Sequence, residues 1–124
     1  MTEAAIYRRS EQDEYYFHEG CHILELLNSG DDAECSIARA RVEPGRTTRW
    51  HSLSGITERY LIVQGSGLVE IADYPPQPVV ANDVVVIPAG ARQRITATGS
   101  DDLVFMAICT PRFTEAAYVD REDQ

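Results

Sequence analysis

Five side chains of this chain could meet in one reaction centre: Arg49, His51, Glu58, Tyr60 and Gln93. They lie in three stretches that read as extended. In a strand, residues two apart share a face, so Arg49, His51 and Leu53 point together, as do Glu58, Tyr60 and Ile62, and later Gln93 and Ile95. If those faces line one interior, an imidazole, a carboxylate and a carboxamide converge on apolar walls, the usual form of a small-ligand site. His51, Glu58 and Gln93 would offer mixed nitrogen and oxygen donors without thiolate, suited to Zn, Mn, Fe, Co or Ni. A single histidine does not make the two-histidine, one-carboxylate centre of an oxygenase. The chemistry then expected is redox-silent: a carbonyl or hydroxy acid is polarised while Glu58 or Tyr60 moves a proton. Without a metal, His51 and Glu58 could serve as an acid–base pair. Arg49 would then hold a substrate carboxylate or phosphate, with Tyr60 and Gln93 as further substrate contacts.

Positioning these groups falls to a series of short apolar or alternating runs separated by turn residues. Cys21–Leu27, Ser36–Val42, Thr57–Gln64, 68–72, 83–87, 92–98 and Leu103–Thr110 read as strands. Pro44-Gly45, Gly65-Ser66-Gly67 and Gly99-Ser100-Asp101-Asp102 mark turns. The segment 73–78, with three prolines, is expected to break the ladder. Tyr60–Val63 and Val84–Ile87 are apolar at consecutive positions, which predicts strands covered on both faces. About nine strands with little helical periodicity predict an all-β sandwich or barrel. Helical turns are expected only in the first 17 residues and the tail from Phe113, whose acidic end should fray.

The spacing of the turns and site residues resembles that of the cupins, small double-stranded β-helix (jelly-roll) barrels. Gly45 is followed by five residues, His51-Ser52-Leu53, four residues, Glu58, six residues and Gly65, which parallels the first cupin motif. Asn82, five residues, Pro88-Ala89-Gly90, two residues, Gln93, three residues and Ala97 parallel the second. The resemblance implies a barrel over 18–113, an N-terminal extension over 1–17 and a C-terminal tail over 114–124. It also implies a divalent metal ion on His51, Glu58 and Gln93, and isomerase, epimerase or lyase chemistry on a small carbohydrate or organic acid. Where metal-binding cupins carry further histidines, this chain has Leu53, which cannot coordinate, and Gln93, which offers a neutral oxygen. Those departures raise the alternative of no cofactor and a non-catalytic binding or sensor module with a decayed site. A dioxygenase is a third and weaker reading. Small cupins also pair, which implies a homodimer.

Composition narrows the partners. At 124 residues, with 44% apolar content, the chain suits one domain with one core. Eleven basic against 20 acidic residues give a net charge of −9, which argues against nucleic acid and anionic membrane surfaces. A small-molecule ligand is the partner expected. Cys21, Cys35 and Cys109 read as reduced thiols, and with no apolar run of signal or membrane length the expected location is the cytoplasm. Cys109 is expected to be a small core residue, and His18 and His22 surface residues.

Overall fold

The computed structural model describes residues 3–123. Its strands are β1 (Tyr15–Phe17), β2 (Cys21–Leu27), β3 (Ser36–Val42), β4 (His51–Leu53), β5 (Thr57–Gln64), β6 (Ser66–Ile71), β7 (Gln77–Val80), β8 (Val84–Ile87), β9 (Gln93–Ala97), β10 (Leu103–Thr110) and β11 (Tyr118–Asp120). They form two antiparallel sheets, ordered β1-β2-β3-β10-β5-β8 and β11-β4-β9-β6-β7. This is the all-β jelly-roll architecture expected from the sequence. The core lies between the sheets, with Ile62, Ile87, Ile95, Leu103 and Phe105 almost wholly buried. Their apolar area, removed from water at about 25 cal/mol per Å2, drives the closure. Among the described residues no helix is long and apolar enough to cross a membrane.

Strand alternation follows the residue pattern along β5. Glu58, Tyr60 and Ile62 are buried, whereas Val63 and Gln64 are exposed. The expectation that β5 and β8 are covered on both faces is corrected. Val63, Val84 and Val86 are 43%, 59% and 59% exposed. In β8, Val85 and Ile87 point inward, and the other face of this edge strand meets no described element. An antiparallel sheet tolerates one wet face, and valine suits a pleated strand whether or not it is covered.

Proline placement gave a second difference. Pro78 sits inside β7, paired opposite Leu68, because β7 is the edge of its sheet, where a missing N–H costs no ladder bond. Two three-residue strands were hidden in the sequence. β1 pairs with β2, and β11 pairs with β4, so residues 15–17 and 118–120 are part of the two sheets. Short 3-10 turns occupy Glu11–Asp13, Gly30–Asp32 and Glu115–Ala117; the second falls in the 28–32 cluster that reads as a turn, though helical turns were expected only at the two ends. Residues before β1 are clamped onto the outer face by Arg39 and Arg41, which bind Glu11, Glu14 and, through Arg41, Asp102.

The turn between β5 and β6 has no freedom at Gly65. Its φ is +81°, and a Cβ there would lie 2.6 Å from the Asp102 carbonyl oxygen. Left-handed backbone alone costs a non-glycine residue about 1–2 kcal/mol, and the clash adds to it. Gly65→Ala is therefore expected to destabilise the fold by more than about 2 kcal/mol in urea titration. A loss below 0.5 kcal/mol, the size of an ordinary surface change, would show that this corner yields.

Candidate active site

Adjacent strands of the six-stranded sheet present inward side chains in rows. Ser36, Cys109 and Glu58 are register partners across β3, β10 and β5. Glu25, Ala38, Ala107 and Tyr60 form the next row across β2, β3, β10 and β5, and Ile23, Ala40 and Phe105 the one after it. Alanines in the middle of these rows leave a hollow where larger residues would have closed the core. The result is a cavity of about 60 Å3, lined by Glu19, Glu25, Glu58, Tyr60, Cys109 and a set of aromatic and alanine side chains.

Glu58 is the most constrained group in it. The residue is 8% exposed, and its Oε1 has no hydrogen-bond partner. The Cys109 thiol approaches Oε2 at 3.9 Å. Burial, then the Glu19 carboxylate nearby, pushes the Glu58 carboxyl up to about 8, with the Gln93 amide and the Cys109 thiol acting in the opposite sense. At neutral pH Glu58 is therefore largely a neutral acid. Tyr60 beside it donates its hydroxyl proton to Gln93 Oε1. Burial and the Glu58 charge hold the Tyr60 phenol well above its usual value.

Glu19 is the second carboxylate, and sequence reasoning missed it. It lies in the turn between β1 and β2, where the Gly20 N–H donates to the Phe17 carbonyl and the Arg49 N–H to the Glu19 carbonyl, at 2.9 and 2.7 Å. Its Oε1 is 3.1 Å from His51 Nε2, and its Oε2 accepts the Cys21 thiol at 3.3 Å. His51 Nδ1 lies 2.7 Å from the Arg49 carbonyl, which can only accept, so Nδ1 carries a proton. The Nε2–Glu19 bond then requires one further proton, held on the imidazole or on the carboxyl. Tyr118 stacks on the imidazole at 5.2 Å and 14°. It too was missed, because a segment read as a tail beyond the barrel is a strand, β11. The available signal for Glu19 was a long acidic side chain beside a glycine turn that opens a buried strand.

The residues expected from the sequence divide into two layers. Glu58 and Tyr60 line the cavity. His51 and Gln93, buried to 2% and 1% exposure and paired directly across β4 and β9, lie behind it and hold Glu19 and Tyr60. Arg49 does not enter. Its guanidinium binds Asp120 at 3.0 Å on the surface, because residue 49 precedes β4 and strand alternation does not extend to it. Leu53 packs in a side cluster with Ile56 and Cys109. Cys109, expected as a plain core residue, lines the cavity. His18 is exposed, and His22 binds Glu43 at 3.0 Å.

Tested as metal ligands, the three expected donors do not fit. His51 Nε2 is engaged by Glu19, and Gln93 Oε1 by Tyr60. Only Glu58 presents a free donor atom, and among the described residues no group of three histidine, cysteine, aspartate or glutamate side chains could hold an ion.

No family model matches the chain, and no curated protein is detectably similar in sequence. Solved structures do match. KdgF from Halomonas sp. superposes with a TM-score of 0.78 at 15% identity, over 92% of this chain and 99% of that one. Pac13, described as a nucleoside dehydratase, gives a TM-score of 0.77 at 16% identity over 95% of this chain and 92% of its own; structures of its Streptomyces variants contain uridine. The oxalate decarboxylase of Lactobacillus farciminis gives 0.74 at 21% identity over 86% of this chain and 32% of its own. The chain therefore has the double-stranded β-helix fold of the cupins.

The state of Glu58 sets a pH dependence. In the folded chain its proton is held to about 8, whereas the unfolded chain releases it near 4.5. Between those values the folded state binds more protons, so stability falls as pH rises. The full effect is on the order of 5 kcal/mol at about 1.4 kcal/mol per pKa unit. Glu58→Gln should flatten the decline in urea-measured stability between pH 5 and 8. Parallel curves for the two proteins would place the carboxyl in water.

Proposed function

We propose that the barrel is a redox-neutral acid–base site for a small polar metabolite, with Glu58 as the general acid and the Glu19–His51 pair as the base. The observation that carries this reading is a buried carboxyl with one unpartnered oxygen, pushed up to about 8, in a cavity shared with a second carboxylate tied to an imidazole. A carboxyl that holds its proton beside a carboxyl bound to an imidazole offers an acid and a base in one cavity. Glu58 would deliver its proton to a carbonyl or a departing hydroxyl. Glu19 would take a proton from carbon, and His51 behind it would stabilise whichever form results. Tyr60, fixed by Gln93, would orient the substrate oxygen. The reaction class is enolisation, epimerisation or loss of water. Among the structural neighbours, a dehydratase and a decarboxylase are named, and neither reaction is a net oxidation. A divalent ion on His51, Glu58 and Gln93 is not part of this reading, since two of those donors face other side chains.

The test incubates the full chain with small aldoses, hydroxyketones and amino alcohols in D2O and follows carbon-bound deuterium and loss of hydroxyl by NMR. Glu58→Gln and Glu19→Gln should each lower turnover by about 10²–10⁴-fold. Chelator-treated protein should keep its rate, and added Zn2+ or Mn2+ should leave its melting temperature unchanged. Turnover that survives both substitutions, or that requires the metal, refutes the assignment. Ligands bound and recovered unchanged would instead favour the non-catalytic module.

A further inference from the structure

We propose that the cavity takes a small organic ammonium ion, seated over Ala38 and Ala107 between Glu25 and Glu58. This names the ligand class of the acid–base site above and rests on that reading only in sharing its cavity.

Charge is the first argument. Glu19, Glu25 and Glu58 line the cavity and no arginine or histidine does, while the chain contains no lysine at all. Arg9 hydrogen-bonds the main-chain carbonyl of Glu25 at 3.0 Å and acts on its carboxyl only through its charge, while Arg49 binds Asp120 on the surface. A carboxylate or phosphate ligand would meet this acidic lining with no arginine or lysine in the cavity to bind it, so the organic acid expected from the sequence is disfavoured. A cation would supply the partner that the buried, unbonded Glu58 Oε1 lacks.

Shape is the second. Glu25 and Tyr60 close the two ends of one register row, with Ala38 and Ala107 between them and Glu58 one row further along β5. Across β2, β3, β10 and β5 those ends are three strand spacings apart, about 14 Å between backbones. The space left above the alanines, about 60 Å3, suits a compact ligand rather than an extended one.

The walls are the third. Tyr15, Phe17, Phe105 and Phe113 line the same hollow. Aromatic faces attract ammonium groups and gain most when the site is dry. The Tyr15 hydroxyl lies 3.5 Å from Glu25 Oε1, which joins an aromatic wall to a carboxylate at one end.

The experiment titrates the full chain at pH 8.5 with tetramethylammonium chloride, tert-butanol or sodium acetate, at ionic strength fixed with sodium chloride, following the Ala38 and Ala107 methyl signals by NMR. Tetramethylammonium should saturate with an affinity at least tenfold above that of tert-butanol, and acetate should produce no shift. Glu25→Gln, and separately Glu58→Gln, should each weaken tetramethylammonium at least fivefold with native spectra retained; two variants guard against one failing to fold. Equal binding of tert-butanol, tighter binding of acetate, or indifference to both substitutions would overturn the proposal. Cation binding without turnover would refute the acid–base reading alone. Turnover of neutral substrates without cation binding would refute this one alone.

Discussion

The arrangement depends on the cost of burying a carboxyl group. Glu58 sits in β5 among Tyr60, Ile62 and the apolar core, where an ionised and unpartnered carboxylate would cost far more than the few kcal/mol that separate folded from unfolded protein. The fold meets that cost by keeping the proton on Glu58 up to about 8. What would be a defect in a core becomes a poised acid at the edge of a cavity. Such a group does not persist for packing alone, since a leucine at position 58 would fill the strand without the penalty.

The second layer makes the first usable. A glutamate in a turn has several rotatable bonds, and it serves as a base only if it is held in place. Glu19 is held at both oxygens, by His51 Nε2 and by the Cys21 thiol, while His51 is held by the Arg49 carbonyl and the Tyr118 ring. Tyr60 is held by Gln93. The imidazole and amide that the motif spacing suggests as metal donors are therefore engaged in orienting other side chains. Where Leu53 stands, a fourth donor is lacking, and the strand that carries it packs a small apolar cluster against β11.

How much of this was legible in the sequence follows from where each residue lies. Alternation along a real strand is reliable, so Glu58, Tyr60, Gln93 and Ile95 were placed inward correctly from parity alone. His51 was placed on the right side, but the same rule failed for Arg49, because the segment before β4 is not a strand; there Thr48 is buried and its neighbours are not. Within β4 the rule is overridden, as His51, Ser52 and Leu53 are all buried under β11. Glu19 and Tyr118 escaped because their positions depend on contacts with residues about 30 and 70 positions away, which no local pattern encodes. The apolar runs of β5 and β8 signalled strands correctly, yet misled on their surroundings: propensity reports fit to a pleated surface, not what lies above it.

The two layers converge on one point of register. β4 and β9 meet at His51 opposite Gln93, and from there the imidazole reaches Glu19 while the amide reaches Tyr60. A slip of one residue in β9 would turn Gln93 outward and bring Arg94 in, burying a charge that now binds Glu70 at 2.8 Å and packs on Trp50. The apolar alternation of β9, with Ile95 and Ala97 inward, penalises that slip heavily. The same residues that close the core thus fix the register, and the register fixes which side chains stand behind Glu58 and Glu19. Site geometry and fold stability are therefore not separable in this barrel. A substitution at Ile95 large enough to shift β9 should disturb the orientation of Tyr60 and Glu19 even though it touches neither.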